Sequence, residues 1–104
     1  MPTNEEIYEE ADRLKDAGKL DEAAAKLEEL AAKDPNYVLA HSALAMLYVK
    51  LKRYEDAIQH AIKACELEPN DAFNFTALSV TFQRAGKIPE AEDAMARARM
   101  MQGR

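Results

Sequence analysis

Side chains of matching size return every 34 positions along this chain. Small residues recur at Ala23, Ala57 and Ala91, and again at Ala11, Ala45 and Ser79. Large ones recur at Leu14, Tyr48 and Phe82, and at Leu20, Tyr54 and Ile88. The slot shared by Ile7 and Phe75 holds His41 in between. Polar positions keep the same beat. An acid precedes each of the first set of alanines (Glu22, Asp56, Glu90), and an acidic residue followed by Pro-Asn stands at Asp34-Pro35-Asn36 and at Glu68-Pro69-Asn70. Gly18 and Gly86 align, with Lys52 between them. A fixed period of this length marks stacked supersecondary units.

Each unit predicts two helices. Thr3 with Glu6 three residues on is a capping-box pattern, opening a helix that runs to about Ala17. Gly18 suits the left-handed conformation that ends a helix. A second helix follows over 21–33. Asp34-Pro35 stops it, because proline disfavours the α conformation in the residue before it. The same reading places helices over 37–51 and 54–67, then over 71–85 and 89–101, with Pro89 tolerable in a first turn. The recurrent alanines let paired helices approach closely, and Leu14, Tyr48 and Phe82 fill the space beside them. A lone hairpin cannot bury its apolar face, whereas stacked hairpins can.

These residues, at this spacing, resemble the tetratricopeptide repeat (TPR) family. The cleanest unit is "AHSALAMLYVKLKRYEDAIQHAIKACELEPND", with Tyr48, Ala57 and Pro69 in place. The resemblance spans residues 1–104 as one domain of three repeats, about 4–37, 38–71 and 72–104. Glu10 departs from the leucine seen at Leu44 and Leu78, and Gly103 replaces the closing proline; both lie in the end repeats. The resemblance implies an all-α, right-handed α-solenoid of three helix-turn-helix hairpins.

Composition agrees with that class. Ala, Leu, Glu, Lys and Arg dominate, which lose little on entering a helix. Glycines number 3 and prolines 4 in 104 residues, with no tryptophan. The formal net charge is −5, from 14 basic and 19 acidic residues, which argues against a phosphate-binding surface and hence against nucleic acid as the main partner. The charge is graded: −6 over 4–37, −1 over 38–71 and +2 over 72–104. No apolar run is long enough to cross a bilayer. The start "MPTNEEIYEE" is acidic and polar, unlike a signal peptide, and Cys65 is a lone cysteine, so a reducing, cytoplasmic setting is expected.

Catalytic chemistry finds little support. The histidines are His41 and His60. His41 takes a large packing slot and reads as a core-edge side chain, with no second metal ligand at helical spacing. His60 falls on the polar stripe of its helix and reads as solvated. Cys65 aligns with Ala31 and Arg99 and reads as a small filler, with Glu66 beside it raising rather than lowering a thiol pKa. No glycine-rich phosphate loop is present. "EEIYEEAD" reads as a solvated helix face. The expectation is a non-enzyme without metal or cofactor.

A groove takes the place of an active site. In TPR-like stacks the first helix of each unit lines a concave face. The resemblance implies these lining residues: Glu5, Tyr8, Asp12 and Lys15; then Leu39, Ser42, Met46, Val49 and Lys50; then Phe73, Thr76, Val80, Gln83 and Arg84. Leu39, Met46, Phe73 and Val80 are apolar where a helix face would ordinarily be left to solvent. The expected function is a protein-interaction module that docks a peptide or helix there. One TPR subset clamps the C-terminal carboxylate of Hsp90 or Hsp70 with Lys, Asn and Arg. The matching positions here hold Tyr8, Asp12, Ala43, Phe73 and Ala77, none of them basic, so that activity is not expected.

The alternative is a self-assembling scaffold that oligomerises through the groove or through the last helix. There Ala91, Ala94, Met95, Ala98 and Met101 follow 3–4 spacing. With Met100 they predict an apolar stripe suited to weak self-association, Met95, Met100 and Met101 being its adaptable contacts.

Overall fold

The computed structural model describes residues 1–103. Six α-helices follow one another: α1 (Asn4–Asp16), α2 (Leu20–Lys33), α3 (Val38–Lys50), α4 (Tyr54–Leu67), α5 (Ala72–Arg84) and α6 (Ile88–Gln102). They form a right-handed α-solenoid of three antiparallel hairpins, drawn out to 42 Å along its longest axis and 20 Å along its shortest. None of these helices is long and apolar enough to cross a membrane. Each hairpin packs on the next through the second helix of one and the first helix of its neighbour, with α3 also touching α5.

The local chemistry at the helix ends accounts for the hairpins. At the start of α1, Thr3 Oγ1 accepts from the Glu6 amide at 3.1 Å and Glu6 Oε1 accepts from the Thr3 amide at 2.9 Å. That box holds the Glu6 carboxyl below its ordinary value through the Thr3 backbone and side chain. Asp71 caps α5, its Oδ1 accepting from the Phe73 amide at 2.9 Å. The three turns inside the hairpins are closed by a residue with positive φ: Gly18 at 80°, Gly86 at 81° and, at the aligned position, Lys52 at 62°.

A lysine there is a local strain, because a Cβ in the left-handed region crowds the following carbonyl. Lys52→Gly is therefore expected to stabilise the protein by up to about 1 kcal/mol, the relief of strain outweighing the entropy glycine adds to the unfolded chain. Denaturant unfolding of the variant checks this, and a lowered midpoint would show that Lys52 makes a compensating contact.

The alanine registers sit where close packing requires small side chains. Ala23 and Ala57 are fully buried and Ala91 nearly so. Two clusters result. One joins the first two hairpins around Leu27, Leu30, Leu44, Leu47 and Tyr48. The other joins the last two around Ala45, Ala61, Cys65, Phe75, Leu78 and Ala98. The lower bulk of the second cluster is partly made up by Phe82, Met95 and Met101, which lie half-buried against it. The expected stripe on α6 is thereby narrowed. Of Met95, Met100 and Met101, only Met100 is exposed, at 66%.

Candidate partner-binding groove

The concave face is built by α1, α3 and α5, and the repeat period sorts its side chains into rows. The second residue of each helix gives one row: Glu5, Leu39 and Phe73. A turn further along come Tyr8, Ser42 and Thr76, then Asp12, Met46 and Val80. The last residues of α1, α3 and α5 are Asp16, Lys50 and Arg84. Leu39 is 53% exposed, Met46 59%, Phe73 69% and Val80 44%. Four large apolar side chains are thus presented to solvent on one face, although burying each would release water from apolar surface.

Two hollows lie among them. The first, about 200 Å³, is formed between α1 and α3, with Tyr8, Asp12, Leu39, Ser42, Met46 and Lys50 in its wall and Phe73 at its edge. The second, about 380 Å³, lies between α3 and α5, walled by Met46, Val49, Phe73, Thr76, Val80 and the small residues Ala45, Ala61 and Ala77. Twelve of the fourteen expected groove residues line one or both hollows. Gln83 is exposed and lines neither, nor does Glu5. Asn74 enters the wall of the second hollow without having been expected there. It is buried, and its side-chain amide donates to the carbonyls of Ala64 and Glu68 at 3.3 and 3.4 Å. The aligned residues are Glu6 and Ala40, so the period gave no warning of a buried amide.

The electrostatics of the two hollows differ. In the first, Lys15 Nζ lies 3.0 Å from Asp12 Oδ1, and that pairing raises the Lys15 pKa. In the second, Lys50 and Arg84 are the charged residues of the wall. Neither takes part in an ion pair among the described residues. Both end a helix, where the partial negative charge of the last carbonyls favours a cation. A protein of net charge −5 therefore carries two cations on the wall of a largely apolar hollow.

The remaining reactive side chains lie away from the groove. Cys65 is buried in the second core cluster, its Sγ 3.4 Å from the Asn74 carbonyl, and burial pushes its thiol up to about 11 against a smaller opposing pull from Arg97. Such a thiol is a poor nucleophile. His41 is buried as expected, at 6% exposure. His60 differs from expectation. Its side chain is only 18% exposed, stacked on the His41 ring at 5.2 Å and on the Tyr48 ring at 5.8 Å between centroids. On the polar stripe of α4, Glu55, Gln59 and Glu66 stay exposed, whereas His60 is shielded by His41 and Tyr48 of α3 and faces Glu28 of the neighbouring hairpin at 3.6 Å from Nε2.

Paired helices at a constant period, alanines at the crossings and a ligand-sized concave face define a helical-repeat protein. The tetratricopeptide repeat profile matches residues 8–72, and the chain belongs to that family. The family is generally one of non-catalytic interaction modules. No curated protein matches the sequence. Among solved structures, the second TPR of Spaghetti (RPAP3), bound to the HSP90 peptide SRMEEVD, superposes with a TM-score of 0.84 at 20% identity, over 94% of this chain and 91% of that one. MamA superposes with a TM-score of 0.89 at 17% identity, over 97% of this chain and 59% of its own. YrrB, a TPR protein with an unusual peptide-binding site, gives 0.88 at 17% identity, over 99% of this chain and 53% of its own. This chain thus spans little more than half the length of the latter two.

Proposed function

We propose that this protein is a non-catalytic docking module whose concave groove holds an amphipathic segment of another protein. The segment lays its apolar side chains against Met46, Phe73 and Val80, with carboxylates turned toward Lys50 and Arg84. One observation carries the reading: an apolar hollow of about 380 Å³ whose charged wall residues are both cationic. A hollow of this size is within the usual range for ligand sites. Cations at its rim that make no ion pair among the described residues select the charge of what enters. Two solved structures of the same fold lend support, since one is bound to the peptide SRMEEVD and the other has an unusual peptide-binding site. The clamp positions of Hsp90 and Hsp70 binders hold Tyr8, Asp12, Ala43, Phe73 and Ala77, so the carboxylate sought here is one facing the ends of α3 and α5 rather than a clamped chain terminus.

Two synthetic peptides with the same apolar residues test this, one with glutamates and one with lysines at its polar positions. Fluorescence anisotropy is expected to favour the acidic peptide by about tenfold, since two rim ion pairs of about 0.7 kcal/mol each amount to that factor. Lys50→Glu with Arg84→Glu should erase or reverse the preference. Equal binding of both peptides would remove the charge selection. Failure of both to bind, with concentration-dependent sedimentation of the protein alone, would make a second copy of this chain the occupant.

A further inference from the structure

None of the residues that link His41 and His60 to Glu28 and Tyr48 lines either hollow. His41 Nε2 lies 2.8 Å from the Pro35 carbonyl, in the turn that joins the first hairpin to the second. His41 Nδ1 lies 3.0 Å from His60 Nδ1. Beyond His60 stands Glu28 on α2, which also accepts the Tyr48 hydroxyl. The chain of contacts therefore runs through α2, the turn after it, α3 and α4.

Its hydrogens can be placed by elimination. A carbonyl oxygen only accepts, so His41 Nε2 carries a hydrogen. In the neutral ring His41 Nδ1 is then bare, and His60 Nδ1 must carry the hydrogen between them. The order is Pro35 carbonyl, accepting from His41, accepting from His60. A proton added to His41 Nδ1 would set two N–H groups head to head at 3.0 Å and place a charge in a side chain only 6% exposed. A proton added to His60 Nε2 would gain Glu28 Oε1 at 3.6 Å, within ion-pair range, but would charge a largely buried ring stacked against two others, and burial outweighs that gain.

We propose that His41 and His60 form an acid-opened latch at the junction of the first two hairpins. The neutral pair ties α3 and α4 to the turn after α2, and because charge on these rings is disfavoured while they are packed together, acid favours the opened state. The repeat itself does not need the pair. Ile7 and Phe75 fill the place of His41 in the first and third hairpins and are buried there. The helix held by the latch is the one that carries Leu39, Ser42 and Met46, yet the inference does not rest on any role for the groove.

The direction with pH follows from the groups that face the pair. His60 is turned toward Glu28 of α2 and Asp56 of its own helix, with His41 and Tyr48 of α3 beside it. Arg53 lies over the Tyr48 ring and is occupied by Asp56 at 2.8 Å. Burial pushes His60 below its usual value, Glu28 opposing and His41 reinforcing the shift. A histidine lowered in the folded state takes up protons less readily than in the unfolded chain. Stability is then complete above the ordinary histidine value and is lost as the pH falls below it.

The experiment compares the wild type with His41→Phe, His60→Gln, in which phenylalanine restores the packing of the third hairpin. Between about pH 7.5 and about pH 5.5 the wild-type melting temperature is expected to fall by about 4–8 °C, and that of the variant to stay level. Ring-nitrogen NMR of the wild type at about pH 7.5 should show hydrogens on His41 Nε2 and His60 Nδ1. An unchanged wild-type melt over this range, an equal fall in the variant, or the opposite tautomers would overturn the latch. The wild-type melt and the tautomers decide the matter even where the variant does not fold.

Discussion

Glutamate at both Met46 and Phe73 is expected to abolish capture of an apolar partner while leaving the melting curve nearly unchanged. Both side chains are more than half exposed in the free protein, so their loss opens no cavity. Met46 lies inside α3, and glutamate is a good helix former. Phe73 is the second residue of α5, where a carboxylate is favoured by the helix dipole. In a complex the same two side chains would be central apolar anchors. Anchors of that kind cost roughly 2 kcal/mol or more each when lost, or about a thousandfold in affinity together. Circular dichroism with titration of the acidic peptide separates the two effects. Should the variant unfold, the two side chains would belong to the core, and the groove would not be a docking face.

The exposure of these residues was legible in the sequence because repetition converts one helix into three readings of the same position. Tyr8, Ser42 and Thr76 share a place, and so do Asp12, Met46 and Val80; a face that changes character from repeat to repeat is one the fold does not need. Positions the fold does need stay small or apolar, as Ala23, Ala57 and Ala91 do. Helix limits were likewise close, α3 spanning Val38–Lys50 where 37–51 was expected, since caps and prolines act locally.

What escaped is what one helix owes to another. His60 falls on the polar side of α4, but α2 brings Glu28 to it and α3 stacks His41 and Tyr48 against it, so this one position on the stripe is shielded. Asn74 escaped for the same reason. Its amide is satisfied by carbonyls at the end of α4, which no periodicity within α5 reveals. Lys52 shows the converse. Its left-handed backbone could be read only from its alignment with two glycines, because lysine by itself carries no such signal.

Ala57→Leu is expected to destabilise the protein by about 1–3 kcal/mol, or roughly 4–8 °C of melting temperature for each of those kilocalories. Ala57 has no exposed surface and sits in the cluster that holds Leu44, Leu47 and Tyr48 of the facing helix. Leu44 is itself among the largest fully buried side chains, so the helices have no slack to admit another isobutyl group. The added atoms must force α3 and α4 apart or drive neighbouring side chains off their rotamers. Separation would be the costlier route, since Tyr48 also bonds Glu28 of the preceding hairpin and would be pulled from it. Ala25, exposed on α2, supplies the control: the same substitution there touches solvent and should change stability by no more than about 0.5 kcal/mol. Denaturant titration of the two variants under one set of conditions gives the comparison. Equal midpoints would mean that the α3–α4 crossing does not depend on a small residue at position 57, and with it would go the argument that the 34-residue alanine register sets how closely the helices approach.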